Sequence, residues 1–540
     1  MNKSVNLIST KKPNNFVTGA LIISIGGLVA KFLGAIYRIP LTNLVGSYGM
    51  GLYQLVFPPY ILIMILASFG IPSALSKLLA ECYQLGDYKQ SQILFKRAFM
   101  FLLTTGSLGS ILLFCLAPLL ASWQQTPEIT LAYRIASPAI LFVCLTGAFK
   151  GYFQGNMKMM PISLTQVAEQ IVKLLFGLGF AVLFLPDIVR AVNGAVIAIT
   201  VSEFASFIIM SITYFRYDKK LAHSNNIQTD DSLSKIFTLA LPIVMGSFIM
   251  QMSQLVDSIM VVNLVNAPNA TSLYGLWTGP VNSLLGFPIA LSAGVAVSAL
   301  PSITRTAVGK NRQHLISKYN SAFKLTILVA LPSALGLMVL SKPIISLLYA
   351  SLPLEEIEIA SKLLMYSGLS ILFLSLVQTM TATLQALSKP YVAVVIVVGA
   401  VAIKLIVNYI LLPLKNVDIY GAALSETFCY LFACICGIIY LKVRSNLSID
   451  IVNSLLKPIA CNAIMLTGLL VITTFATDFV ATITGTLVSI LLCIVIYVAS
   501  AFALKVFTKE ELDLAKFNKK DKANDNIRNT KTVFEGQKKL

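Results

Sequence analysis

The sequence predicts an all-α polytopic membrane protein with fourteen transmembrane helices. They form two six-helix lobes related by a parallel internal repeat, plus two extra C-terminal helices. Of the 540 residues, 57% are hydrophobic and only 12% are charged, whereas soluble domains are about 45–50% apolar and 25% charged. Apolar runs of about 20 residues, long enough to span a bilayer, recur along the chain. Short motifs also recur at a nearly constant separation. The composition excludes an ordinary soluble enzyme.

Six predicted helices form an N-lobe over residues 16–215, after a polar tail at residues 1–15. Each is an apolar run that ends at charged residues or at clusters of proline, glycine and asparagine. The first run is long enough to stay embedded, so the tail does not predict a cleaved signal peptide. The six ranges are 16–40, 51–76, 98–122, 131–153, 162–185 and 191–215.

Eight further helices follow a polar inter-lobe loop at residues 216–235. The first six form a C-lobe over residues 236–441 and the last two occupy 442–504, ahead of a charged tail at 505–540. The ranges are 236–265, 280–304, 320–349, 361–388, 390–413, 420–441, 454–476 and 482–504.

The basic residues predict how the chain is oriented. Cytoplasmic loops of membrane proteins collect Lys and Arg, and an even number of helices puts both termini on one side. In this topology 31 of the 41 basic residues lie on the side of the termini and 5 on the other. We therefore expect both termini in the cytoplasm. The net charge of +18 marks this face, so nucleic acid is not an expected partner.

An internal repeat relates the two lobes. Tyr53 lies six residues before Pro59 in the first lobe, and Tyr274 lies six residues before Pro280 in the second. A Leu-Pro pair precedes a Gly-Ala pair by the same spacing in each lobe, and the two sets of motifs are 221 and 227 residues apart. Because each copy has six helices, both start on the same side. Such lobes rock around a central site.

Eight charged side chains within the predicted helices are candidates for the site. A charge at mid-membrane costs about 2.5–3.5 kcal/mol on insertion scales, so each needs a partner or a watery cavity. Several cations in one cavity suit an anionic head group, because Lys and Arg bind phosphate strongly. The acids would tune these cations or bind a coupling ion. The cations are Lys31, Arg38, Lys173 and Lys404, and the acids are Glu169, Glu203, Asp257 and Glu426.

Polar stripes accompany these charges. Glu169 and Lys173 have the favourable i,i+4 order, which leaves two interpretations open: a self-neutralised pair that lets the helix insert, or contact with a substrate. The glutamines on the same helix, the seventh and the tenth predict either interhelical hydrogen bonds or a polar cavity wall. They are Gln166, Gln170, Gln251, Gln254 and Gln378.

Catalytic and cofactor motifs do not occur in the sequence. There is no phosphate-binding loop, nucleophile elbow or metal-ligand spacing, and the predicted outward loops are too short for an external catalytic domain. We therefore expect a transporter and not an enzyme, with no cofactor or metal. Coupling to the membrane potential or to a monovalent cation stays open.

Five short motifs point to a known family. They are Lys-Phe-Leu-Gly-Ala-Ile-Tyr-Arg-Ile-Pro at 31–40, Gly-Met-Gly-Leu-Tyr at 49–53, Gly-Tyr-Phe-Gln-Gly at 151–155, Met160-Pro161 and Gln166-x-x-Glu169-Gln170. These motifs resemble those of the stage V sporulation protein B group, which are polysaccharide-biosynthesis membrane proteins of the multidrug/oligosaccharidyl-lipid/polysaccharide exporter superfamily. That superfamily also contains MurJ-type flippases. The resemblance implies a V-shaped MATE/MurJ-like fold in the bacterial cytoplasmic membrane. It also implies flipping of an undecaprenyl-pyrophosphate-linked precursor, with lipid II for peptidoglycan as the leading candidate.

The match to MurJ-type proteins is incomplete at the first helix. Those proteins have Arg-Asp after the glycine, whereas this chain keeps a cation at Arg38 and has Ile39 after it. Lys31 or Lys173 is therefore expected to complete the cation cluster. The expected partners are a lipid-linked glycan precursor, membrane lipids and cell-wall synthesis proteins. The alternatives are a flippase for another lipid-linked polysaccharide unit, a cation-coupled multidrug exporter and a non-transporting scaffold for envelope synthesis.

Overall fold

The computed structural model describes residues 14–68, 70–218, 232–308 and 312–506, and helices dominate these ranges. Most of the predicted tails at 1–15 and 505–540 and of the inter-lobe loop at 216–235 lies outside them. Within them, twelve helices are long and apolar enough to cross a membrane. The chain is therefore a multi-pass membrane protein, while the cytoplasmic placement of its termini stays a prediction.

The first half begins with one apolar run of 64 residues, Ile22–Leu85, which is about three times the length that one crossing needs. Gly46 interrupts it with φ 69° and ψ −175°, a conformation that glycine adopts because it lacks a Cβ. The helices of this half are α1 (Asn14–Leu55), α2 (Phe57–Ser68), α3 (Ile71–Leu85), α4 (Tyr88–Trp123), α5 (Thr130–Gly155), α6 (Met160–Phe184) and α7 (Ile188–Asp218).

The second half contains a π-helical turn at Trp277–Val281, between α9 and α10. Such turns inside helices are frequent at functional sites. Its helices are α8 (Ser232–Leu264), α9 (Ala270–Leu276), α10 (Asn282–Val308), α11 (Arg312–Val339), α12 (Ser341–Leu348), α13 (Leu354–Ala386), α14 (Pro390–Leu411), α15 (Tyr420–Arg444), α16 (Lys457–Phe475), α17 (Thr477–Val480) and α18 (Ile483–Ala503).

The described residues contain twelve candidate spans, against the fourteen helices predicted. The predicted helices 16–40 and 51–76 overlap one apolar run, Ile22–Leu85, along which α1, α2 and α3 follow one another. The predicted helix 236–265 appears as α8, whose described apolar segment is Phe248–Leu264. The predicted helix 320–349 is also divided, because α11 ends before Leu340 and α12 starts just ahead of Pro343. Fourteen helices, two lobes and the repeat stay predictions.

The helices pack in two groups that meet at α1, α2 and α8. Helices α4, α5, α6 and α7 pack on one another, and so do α10, α11, α13, α14 and α15. Between the groups, α1 packs against α9 and α10, and α2 packs against α8. The last pair, α16 and α18, packs together and against α11. The seam between the groups is where the polar residues of α1 and α8 lie.

At one end of this seam, hydrogen bonds join α1 to the segment 348–356. The Asn43 amide donates to the Leu348 carbonyl (2.8 Å) and accepts from the Ser351 hydroxyl (2.7 Å). One turn farther on, the Ser47 hydroxyl donates to a Glu356 carboxylate oxygen (2.6 Å). We call these residues, with the crossing of α1 and α9, the tied end.

Candidate functional site

Two adjacent cavities open along the seam. Arg38 of α1, Phe57 of α2 and Asn282 of α10 line both of them, so the cavities share one wall. The larger has a volume of about 590 Å³ and lies among α1, α6 and α10. The smaller has about 280 Å³ and lies among α2, α8, α14 and α15. The larger volume is in the usual range of ligand sites.

The larger cavity is basic, and we call it the basic cavity. Of the described residues that line it, four are cations and one is an acid. Lys31 and Arg38 both line it, as their seven-residue spacing on one helix face predicts. The Lys173 ammonium lies 5.3 Å from the centre of the Phe57 ring, a favourable cation–π distance. The five ionic residues are Lys31, Arg38, Lys150, Lys173 and Glu169.

The polar face of α6 lines the basic cavity. Glu169 accepts a hydrogen bond from the Gln170 amide (3.1 Å), and no ion pair joins it to Lys173 among the described residues. Gln166 lines the cavity as well. The structure shows no self-neutralised pair between Glu169 and Lys173 among the described residues, and contact with a substrate stays a prediction.

Aromatic rings close the sides of the basic cavity. Phe32 of α1 and Phe287 of α10 touch with their ring centres 5.2 Å apart. Tyr37 and Tyr53, deeper in the fold, also line it. Charged groups in such an apolar frame act on a ligand more strongly than they would in water.

The smaller cavity contains a buried ion pair, and we call it the paired-charge cavity. The Lys404 ammonium of α14 lies 2.5 Å from a carboxylate oxygen of Asp257 on α8. The other Asp257 oxygen accepts from the Asn408 amide (2.8 Å), whose carbonyl oxygen accepts from Ser425 (2.5 Å). All four side chains are buried. The sequence predicts Asp257 and Lys404 as embedded charges, and the structure brings them together.

Glu426 adds a second acid to the paired-charge cavity. One carboxylate oxygen accepts a hydrogen bond from Tyr430 (3.1 Å), while the other is buried with no hydrogen-bond partner among the described residues. The Lys404 ammonium also lies 6.0 Å from the centre of the Trp277 ring. Together with Arg38, the described lining of this cavity balances two cations against two acids.

Not every predicted site residue lines a cavity. Gln254 does, and it accepts a hydrogen bond from Gln251 (3.0 Å), which lies behind it. Glu203 of α7 is absent from both linings, although Glu169, Lys150 and Lys173 act on it electrostatically. Gln378 is likewise outside both linings, with its amide oxygen buried and unpartnered among the described residues.

Three polar residues of the site are absent from the predicted set. Lys150 lies near the end of the predicted helix 131–153, and α5 continues past it to Gly155. Asn408 lies four residues after Lys404 on α14, so helical spacing could have found it. Asn282 follows directly on the π-helical turn.

Two family models match the chain. The model described as polysaccharide biosynthesis protein matches residues 16–307, and the MatE model matches residues 242–410. The lipid II flippase MurJ of Bacillus subtilis (strain 168) is 27% identical over 81% of this chain and 84% of its own length. The stage V sporulation protein B of the same organism is 28% identical over 62% of this chain and 67% of its own.

Solved structures show the same fold. The lipid II flippase MurJ in an inward closed conformation aligns with a TM-score of 0.72 at 18% identity, over 89% of this chain and 98% of its own. A multidrug resistance MATE family transporter of the MOP superfamily, in an inward-facing conformation, aligns with a TM-score of 0.62 at 14% identity. That alignment covers 81% of this chain and 99% of the transporter. The helical fold of this chain is therefore MurJ/MATE-like.

Proposed function

Because this chain belongs to the polysaccharide biosynthesis protein family, we propose that it is a membrane transporter that flips a lipid-linked cell-envelope precursor. The precursor that the site suits best is linked through undecaprenyl pyrophosphate, with lipid II as the first candidate. One relative, which is 27% identical to this chain, is named as a lipid II flippase. The expected location is the bacterial cytoplasmic membrane.

The charge of the basic cavity carries this proposal. A pyrophosphate bears closely spaced negative charges, and four cations with one acid line the cavity. Lys and Arg form strong charge-assisted hydrogen bonds to phosphate oxygens, and Arg can engage two oxygens at once. Arg38 and Lys31 would contact the pyrophosphate from α1, together with Lys173 of α6 and Lys150 of α5.

The remaining lining suits a sugar. Gln166, Gln170, Asn282 and Ser283 offer donors and acceptors that match sugar hydroxyl and amide groups. The polyprenyl chain would stay in the lipid or along α16 and α18, because transferring it through a polar cavity costs about 0.8 kcal/mol for each CH₂. Movement of the two helix groups would then expose the head group on the other side.

Reconstitution tests the proposal directly. The full chain is placed in vesicles that contain labelled lipid II, and the accessible fraction is followed with an enzyme that modifies lipid II from outside. We expect protein-dependent flipping, and a parallel assay with another undecaprenyl-pyrophosphate-linked glycan measures its selectivity. If vesicles with the protein flip neither lipid, the proposal is wrong.

A multidrug exporter is the second candidate. The MatE model matches residues 242–410, a range that contains Asp257 and Lys404 of the paired-charge cavity. An exporter of cationic drugs would need acids in its cavity, whereas the basic cavity is dominated by cations. Drug resistance in cells that overproduce the chain, without lipid flipping in vesicles, would favour this candidate.

A further inference from the structure

The ion pair between Asp257 and Lys404 joins two helices inside the paired-charge cavity. The ammonium lies 2.5 Å from the carboxylate, and only 5% of the Asp257 side chain and 10% of the Lys404 side chain is exposed. The pair is therefore nearly dry, yet both residues line a cavity and are not packed in the apolar core.

The ammonium contacts one oxygen of the Asp257 carboxylate. The Asn408 amide donates to the other carboxylate oxygen, and its own oxygen accepts from the Ser425 hydroxyl, so hydrogen bonds hold the carboxylate in place. Carboxylate oxygens are ligands that hard cations prefer in proteins. An ammonium group is a compact point charge that can satisfy the same carboxylate.

We propose that Lys404 is a tethered counter-cation, whose ammonium takes the place of a free monovalent cation at the Asp257 carboxylate. The proposed transport cycle would then need no Na⁺ or K⁺ at this position. The idea rests on the proposed function only for that last consequence, because occupancy of the Asp257 carboxylate by a cation can be measured without transport.

Fold stability alone does not explain why a buried ion pair is present at this position. Replacing a buried ion pair with apolar residues of similar volume is often neutral or stabilising, whereas removing one partner leaves a costly buried charge. The Asp257 carboxylate therefore requires a cation as long as it is ionised. Without Lys404, water from the 280 Å³ cavity could bring an alkali cation to it. The Glu426 oxygen that has no hydrogen-bond partner within the described ranges would strengthen the attraction.

The test removes the Lys404 ammonium and asks whether a free cation then binds at Asp257. Lys404→Ala is purified as the full chain, and its thermal unfolding is measured in NaCl, KCl or N-methylglucamine chloride at equal ionic strength. We expect an unfolding temperature below that of the wild type in N-methylglucamine, and a rise of at least about 3 °C in Na⁺ or K⁺. The wild type should not distinguish the salts. Saturable binding of radioactive Na⁺ to the variant should accompany the shift.

Matched variants make the result specific. Asp257→Asn combined with Lys404→Ala should lose the cation response, because the carboxylate that attracts the ion is gone. Lys173→Ala, which removes a cation of the basic cavity, should show no response of its unfolding temperature to Na⁺ or K⁺. Should Lys404→Ala not fold, Lys404→Gln keeps a hydrogen bond to Asp257 without the charge and gives the same test. A folded Lys404 variant without a cation response, or equal Na⁺ binding by the wild type, would overturn the proposal.

An assay of lipid flipping then distinguishes the tethered-cation proposal from the flippase proposal. If the wild type flips lipid II equally in Na⁺ and N-methylglucamine while Lys404→Ala requires Na⁺, both proposals hold. If neither protein flips lipid but the variant binds Na⁺, the tethered cation stands and the flippase proposal fails.

Discussion

Gly51 of α1 and Gly275 of α9 touch through their backbones. A methyl group on Gly275 would lie 2.5 Å from the Gly51 backbone nitrogen and closer still to the Ser47 carbonyl oxygen. No real Cβ approaches backbone atoms so closely, so the tied end can form only with glycine at this position. The crossing joins the two helix groups at the end where Asn43 and Ser351 are hydrogen bonded.

Gly275→Val should therefore disrupt the tied end. Overpacking a tight contact costs about 1–3 kcal/mol, and we expect a lower unfolding temperature or a shift to a conformation that is open at this end. Thermal unfolding and thiol labelling of a cysteine placed at Ser47 measure the two outcomes. Gly336→Val on α11 is the control, because nothing lies within 4 Å of its Cβ position. Equal effects of the two substitutions would contradict the prediction.

A disulfide across the tied end should stop transport. Asn43 and Ser351 contact each other at 2.7 Å, so cysteines at both positions, in a background without the native cysteines, are expected to cross-link on oxidation. Because the bond would hold α1 against the segment before α13, lipid flipping should fall at least about tenfold and return on reduction. Flipping in vesicles before and after reduction measures this.

The control pair is Thr326 and Thr379, which join α11 and α13 within one helix group at 2.7 Å. Its oxidation should leave flipping within about twofold of the reduced protein, since helices inside one group move together. Full flipping by the cross-linked Asn43/Ser351 protein would show that the tied end does not open during transport.

The basic cavity was largely predictable from helical spacing, whereas the ion pair was not. Lys31 and Arg38, like Gln166, Glu169 and Gln170, share a helix face whatever the tertiary fold, so periodicity alone placed them. Asp257 and Lys404 lie on helices that are distant in sequence, and only the packing of α8 on α14 brings them together. The direction of the Lys173 side chain was also unpredictable, because it depends on the Phe57 ring of another helix.

Arg38→Gln should impair flipping more than any substitution on the outer surface, because Arg38 lines both cavities. Hydrogen bonds to charged groups contribute about 1.5–3 kcal/mol, so we expect flipping at low lipid II to fall about 10–100-fold. Arg190→Gln is the matched control, since Arg190 is exposed and forms a surface ion pair with Asp187. Flipping rates normalised to reconstituted protein measure the difference, and near-wild-type flipping by Arg38→Gln would remove this residue from the proposed site.

Substitutions of Glu169 and Lys173, which are neighbours on α6, should have opposite effects on the binding of an anionic ligand. Glu169 is the one acid among the described ionic residues of the basic cavity and has no ion pair there with Lys173. Its charge therefore repels an anionic head group, and Glu169→Gln should bind a soluble pyrophosphate analogue several-fold more tightly. Lys173→Met removes an attractive charge of similar position and should bind the analogue about tenfold more weakly.

Calorimetric titration of the purified chain at low ionic strength measures both constants, and the difference between the variants should shrink in high salt because salt screens charges in a hydrated cavity. Glu358→Gln on α13 is the control, since that exposed acid is paired with Lys362 away from both cavities. If Glu169→Gln instead weakens binding as much as Lys173→Met does, Glu169 contacts the ligand as a hydrogen-bond acceptor or binds a cation beside it. The cavity would then recognise sugar hydroxyl groups at this position, and the pyrophosphate would have to lie nearer to Arg38 and Lys31.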